Sequence, residues 1–375
     1  MEFKISVDEL QSIFSRLASV VKVNEEDVTG MILIDAGEKL KFKVTNGGIK
    51  LVESTISAEI IDKGKSFIRF RDIKPYIMKF MPLVEGYGTE NYHFIINESG
   101  GVLKTKTRYG ENVKPVYRKL KFQIFNNEVY PPIKDMDDPQ LIVNSSILKR
   151  GIGKVLHCIN PAEIRKTIAG LNMTIALDKI VFSGTNGVKL SEFTSAISAD
   201  IETKSYILKY NFASILKSVL DDDAQVFMKF ERDFVYVKSN NIYLIGNLET
   251  SGDYPDYKPM FSLDSIITVP RLSLYDSVHT VMDVLDAEDN RRLTLIFSGN
   301  KVSLKNDVVE SEQEFDVQFD TELDVDVNGE FLDSILRDFM SEFIEIHFGL
   351  GNHYIVLKAS DNPNQISLLT IVKRR

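Results

Sequence analysis

The chain has 375 residues, 43% of them hydrophobic, enough for two or three domains with sizeable cores. A net charge of -9 excludes a protein coated in positive charge for nucleic acid, and no window approaches the ~18 uninterrupted apolar residues of a membrane helix. The N-terminus MEFKISVDEL has no leader pattern, and Cys158, the one cysteine, reads as a buried thiol in VLHCI, so a soluble, cytoplasmic protein is expected.

In chain order, a short β-like start leads to Leu10, Ile13, Phe14 and Leu17 behind Asp8, predicting a helix over 7–22. SFIRF then runs into RDIKPYIMKFM, a helix over 71–81, and YHFIINESGGVLKTKT follows as a hairpin. In YRKLKFQIF at 117–125, Leu120, Phe122 and Ile124 alternate with Lys119, Lys121 and Gln123, the period of an edge strand with one basic face. Tyr130-Pro131 breaks the pattern.

Ser145 and Ser146 open a second such series: a helix over 145–157, then SYILKY, a helix over 209–220, and the hairpin QVFMKFERDFVYVKSN. Tyr254-Pro255 repeats the break 124 residues after the first. Ser273 opens the third series with a helix over 271–285, followed by VVESEQEFDV, where Glu310, Glu312 and Glu314 alternate on one face. LDVDV, a helix over 329–340 and the hairpin FIEIHFGLGNHYIVLKAS complete it. The order is the same three times. It predicts an α+β fold with antiparallel sheets in three repeated domains, 1–138, 139–263 and 264–375, able to join side by side and close into a ring.

Catalytic patterns are missing. The five histidines show no metal-ligand spacing, no phosphate loop, GxGxxG or GxSxG occurs, and Asp221-Asp222-Asp223 reads as a solvated helix end. No metal, cofactor or catalytic residue is expected, and the absence favours binding or scaffolding. The six helix spans carry 12 Lys or Arg against 8 Asp or Glu, so they are positive while the remainder is acidic. The cations are Arg16 and Lys22 in the first helix, Arg71, Lys74 and Lys79 in the second, and Lys149, Arg150 and Lys154 in the third. Lys209 and Lys217 lie in the fourth, Arg271 in the fifth and Arg337 in the sixth. Lysines on solvated helix faces are ordinary, but helices lining one concave surface would suit a phosphate backbone through non-sequence-specific contacts.

Three stretches resemble a family, the bacterial-type sliding clamp or beta subunit of DNA polymerase III. VFSGTNGVKLS at 181–191 is similar to the family's T-D-G-x-R-L stretch, with Asn186 for aspartate and Lys189 for arginine. SGDYPDYKPM at 251–260 resembles its G-x-[FY]-P-D-Y run, and VDVNGEFLDSIL at 325–336 its F-N-x-x-Y-L-x-D-x-L helix entry, with Phe331 for tyrosine. The resemblance implies a head-to-tail homodimer closed around duplex DNA, with sheets outside and helices inside. It would tether a replicative polymerase, be placed by a clamp loader and catalyse nothing.

The resemblance further implies a partner-peptide pocket formed by Ile168, Thr185, Gly187, Lys189, Leu190, Pro255, Met260, Asn328 and Phe331, walled by Ile371 and Val372. A dimer contact would join Leu120 and Phe122 to Val284 and Leu285, with Glu310, Glu312 and Glu314 facing the basic strand. Where the family ends in an apolar tail, this chain ends in Lys373, Arg374 and Arg375, as a divergent or phage-encoded member with a more acidic partner motif would. Two other readings stay open: a non-replicative scaffold built from the same repeat, and an enzyme with convergent carboxylates in a deep polar pocket.

Overall fold

The computed structural model describes every residue except 56, 111–112, 200–201, 264, 287–290, 349–352 and 373–375, and excepting also the side chains of 265 and 315–322. The basic tail Lys373, Arg374 and Arg375 lies outside the described residues. Among those described are six α-helices: α1 Val7–Leu17, α2 Phe70–Ile77, α3 Ser145–Leu156, α4 Tyr210–Val219, α5 Arg271–Val284 and α6 Gly329–Asp338. Each falls on an expected span. None is long and apolar enough to cross a membrane.

α1 forms because Val7, Leu10, Ile13, Phe14 and Leu17 fall on one buried face, with Asp8 and Glu9 at the positive end of the helix dipole and Arg16 at the negative end. It stops at Leu17 rather than Lys22. Ser19 and Val20 donate to Arg16 and Leu17, three residues back, so the ladder tightens and ends. α2 is also shorter than expected, ending at Ile77 just after Pro75, whose missing N–H deprives Arg71 of its helical donor. The rings of Phe14 and Phe70 stack with centroids 5.5 Å apart, locking α1 to α2.

The chain divides into two compact units, one of residues 1–146 with 214–248, the other of 147–213 with 249–375. In the first, antiparallel strands run in the order Gly64–Arg69, Met31–Ala36, Leu40–Thr45, Ile49–Thr55, Ile242–Glu249, Phe234–Ser239, Gln225–Phe230, Leu141–Asn144. A second antiparallel sheet in that unit orders Glu59–Asp62, Glu2–Ser6, Tyr87–Asn97, Gly100–Tyr109, Val116–Phe122, with the last strand at its edge.

The other unit repeats the plan. Its strands run Lys204–Lys209, Gly170–Ile175, Lys179–Thr185, Lys189–Ala196, Gln365–Thr370, Tyr354–Ala359, Phe343–Phe348, Ser265–Pro270, and a long hairpin joins Arg292–Lys305 to Glu310–Asn328. Sheet pairing thus crosses the sequence repeats: Ile242 sits opposite Glu53, and Leu190 opposite Leu368. Alternation along Tyr87–Asn97, Gly100–Tyr109, Gln225–Phe230 and Arg292–Lys305 buries one face, whereas Gly170–Ile175 and Lys179–Thr185 are buried almost throughout, and Leu274, Val278, Leu332, Ile335 and Phe339 share one core.

Candidate functional site

The hairpin between Lys179–Thr185 and Lys189–Ala196 builds one side of the expected peptide groove. Gly187 takes φ +86°, a left-handed conformation open to glycine, and a Cβ there would strike the Arg165 guanidinium. Asn186 Oδ1 accepts from the backbone N–H of Val188 and Lys189, each at 2.9 Å, the same service an aspartate would give. Thr185 Oγ1 donates to Lys189 O and accepts from Gly187 N, so the turn is closed from within.

Leu190 clusters with Tyr257, Val356 and Leu368, and Met260, Tyr254, Phe261 and Tyr354 pack half-buried around them. Ile168 is buried, and Pro255 is exposed. Phe331 and Ile371 lie instead on the second core, below α5 and α6. Asn328 Oδ1 caps α6 by accepting from Phe331 N at 3.0 Å. Val372, part-exposed, donates its N–H to Asp326 O, which fixes the described end of the wall.

Lys189 links the two sets. Only 6% exposed, its Nζ donates to Ser334 Oγ at 2.9 Å and sits 4.8 Å from the centre of the Phe331 ring, and burial holds its pKa below the usual lysine range. A polar cavity of about 430 Å3 opens there, lined also by His279, Asp333 and Arg337. Behind the groove, the buried Glu192 carboxylate accepts from Tyr257 OH at 2.5 Å and Lys258 Nζ at 2.6 Å. Neither Tyr254 nor Tyr257 is among the expected site residues, although both lie in the SGDYPDYKPM stretch. Cys158 is fully buried as expected and donates to Ser191 Oγ at 3.2 Å. Burial pulls the neighbouring His157 imidazole down, but Asp338 at 3.0 Å and the Cys158 sulfur override it and raise it to about 9.

The helix cations separate into two groups. Arg16 was expected on a DNA face but is committed inside the first unit: Nε donates to Glu53 Oε1 at 2.7 Å, and Nη1 lies 3.4 Å from Asp221. The reason is that Glu53 is 1% exposed and requires a cation. Arg271 spends its guanidinium on Ser341 O and Leu336 O, Lys154 donates to Asp338 O, Arg71 pairs with Glu26, and Arg337 lies 3.6 Å from Asp333. Lys74 lies over the Phe70 ring, and Lys149 is half-buried. Lys22, Lys79, Arg150, Lys209 and Lys217 are exposed and form no ion pair among the described residues.

The expected dimer residues lie in different surroundings within the chain. Leu285 is 7% exposed and belongs to the core of its own unit, since the chain leaves α5 there in an extended conformation that turns it inward, whereas Val284, the last residue of the helix, is 58% exposed. Phe122 is also buried, its ring filling the space above Gly101 and meeting Phe94 edge-on, and Leu120 is half-buried. Glu310, Glu312 and Glu314 pair with Lys305 and Lys301 across their own hairpin, whose register sets Lys305 opposite Glu310 and Lys301 opposite Glu314, with Lys301 also reaching Glu312. The apolar surface near the edge strand lies elsewhere: Met81 is 78% exposed, and with Phe80, Val84, Tyr87 and Tyr109 it lines a cavity of about 410 Å3.

No family model matches the chain. It is 21% identical over 271 residues to the beta sliding clamp of Chlamydia muridarum, covering 71% of this chain and 69% of that protein. It is 21% identical over 281 residues to that of Rickettsia felis, covering 68% and 73%. Among solved structures, the DNA polymerase III subunit beta of Pseudomonas aeruginosa superposes with TM-score 0.85 at 15% identity, with all of both chains covered. The Helicobacter pylori beta clamp bound to a DNA ligase peptide gives 0.82 at 14%, again over both whole chains. From end to end, the chain carries the fold of the DNA polymerase III beta subunit, the beta sliding clamp.

Proposed function

We propose that this protein is a sliding clamp: a homodimer that encircles duplex DNA, tethers a replicative polymerase to its template and catalyses nothing itself. The observation that carries this is fold similarity over the whole length of both chains, at TM-score 0.85, in a chain whose helices and hairpins recur three times. Each subunit contributes three domains, 1–138, 139–263 and 264–375. A clamp loader opens and places the ring, and the protein works in the cytoplasm.

The exposed Lys22, Lys79, Arg150, Lys209 and Lys217 face the duplex and screen its phosphates without reading sequence. With Arg16, Lys154 and Arg271 tied to their own chain, direct affinity is low and retention is topological. The polymerase inserts a short apolar peptide between Leu190, Met260 and Phe331, as a ligase peptide occupies the Helicobacter pylori clamp. The ring closes where the edge strand Val116–Phe122 and the apolar cavity beside Met81 meet the exposed Val284 of a second copy. The test is retention on circular DNA. Loaded protein survives a salt wash on a nicked circle and runs off once the circle is cut; equal retention on cut and uncut DNA overturns the ring.

A further inference from the structure

We propose that the outward face of the five-stranded sheet in the first unit is a binding surface for single-stranded nucleic acid, separate from the helix faces. Along Gly100–Tyr109 the alternation buries Leu103, Thr105 and Thr107 and turns Lys104, Lys106 and Arg108 outward. On the edge strand the outward set is Tyr117, Lys119 and Lys121. Register places Lys104 opposite Lys119, and Lys106 opposite Tyr117. Five cations therefore share one patch of a chain whose net charge is -9.

None of the five forms an ion pair among the described residues, while the groups bordering them on the same sheet are matched: His93, directly opposite Lys104, with Glu2, and Lys4 with Glu59. Besides Glu2, which His93 holds, a nearby acid is Glu90, exposed at the bulge between Thr89 and Tyr92, and it too forms no ion pair among the described residues. Like charges directly opposite each other on adjacent strands are destabilising, so the Lys104–Lys119 pairing is a cost to the fold that an anion would remove.

Geometry favours a nucleic-acid strand over other polyanions. Alternate residues on a strand advance about 6.8 Å, so Lys104, Lys106 and Arg108 form an evenly spaced row that can follow successive backbone phosphates. Tyr117, 70% exposed beside Lys106, offers a ring on which a base can stack. The surface is a sheet face rather than a channel, and a single strand can lie along it with bases toward the tyrosine.

The test is fluorescence anisotropy of a labelled oligo-dT of about 20 nucleotides with unloaded protein, which needs no ring. Five contacts on a single strand give a log-log salt slope of about -3.5, so affinity falls about 100-fold from ~50 to ~200 mM salt. Lys104→Gln with Lys106→Gln reduces the slope to about -2.1. Tyr117→Ser weakens binding about tenfold, and Lys41→Gln on the other sheet changes nothing. Retention on circular DNA is unaffected by Lys104→Gln with Lys106→Gln, which lie off the ring-closing edge strand, so failure here and failure of the clamp reading are separately visible. Oligonucleotide binding untouched by these substitutions overturns the proposal, as does tighter binding of duplex or of polyglutamate to the same face.

Discussion

Replacing Arg16 by Met separates a structural ion pair from a DNA contact. The substitution keeps the aliphatic stem but leaves Glu53, 1% exposed, without its cation, and Glu53 Oε2 already has no hydrogen-bond partner. An unpaired buried carboxylate escapes by taking up a proton. From the ordinary value of 4.5, protonation at pH 7 costs about 3.4 kcal/mol, within the range of 3–5 kcal/mol that breaking a buried pair costs.

The sign follows from linkage: burial already raises Glu53 in the parent against the pull of Arg16, and loss of that cation raises it further, so the variant recovers relative to the parent as pH falls toward 4.5 and the figure of about 3.4 kcal/mol is an upper bound. At pH 5.5 the deficit shrinks to about 1.4 kcal/mol. For a unit of this size, 3 kcal/mol lowers Tm by roughly 6–12 °C, and calorimetry at the two pH values reads both numbers. A companion Glu53→Gln in the Arg16→Met background removes the pH dependence. Unchanged stability at neutral pH, accompanied by a salt-sensitive loss of DNA affinity, would return Arg16 to the DNA face and refute the argument.

Met260→Asp places a charge at the half-buried rim of the apolar groove, so polymerase stimulation falls about 30-fold or more while sedimentation of the clamp is unchanged; full stimulation would move the pocket elsewhere. Val284→Asp with Met81→Asp yields folded monomers in sedimentation, whereas Leu285→Ala acts on folding, costing about 2–5 kcal/mol by calorimetry. His157, raised from 6.5 to about 9, contributes stability that is complete below pH 6.5 and lost as pH rises through 9, up to about 3 kcal/mol; His157→Asn flattens that part of the pH–stability curve measured by urea unfolding.

What the sequence by itself determined was local. Apolar spacing and caps locate six helices, Tyr-Pro breaks and alternating runs mark the repeats, and three short motifs resemble those of the clamp family. These are legible because helix and strand periods depend on near neighbours. Arg16 shows where this stops, for its acid partners lie 37 and 205 residues away, and only folding brings Glu53 and Asp221 to it. Val284 and Leu285 are adjacent and equally apolar in the sequence, yet the end of α5 exposes one and buries the other. Lys301 and Lys305 claim the glutamates of 310–314 through hairpin register, and strand pairing gathers five cations on one sheet face from segments that read as ordinary edge pattern. Which charges remain open to a partner was decided by tertiary structure, because a side chain's electrostatic partners are set by distance in space and burial rather than by position along the chain.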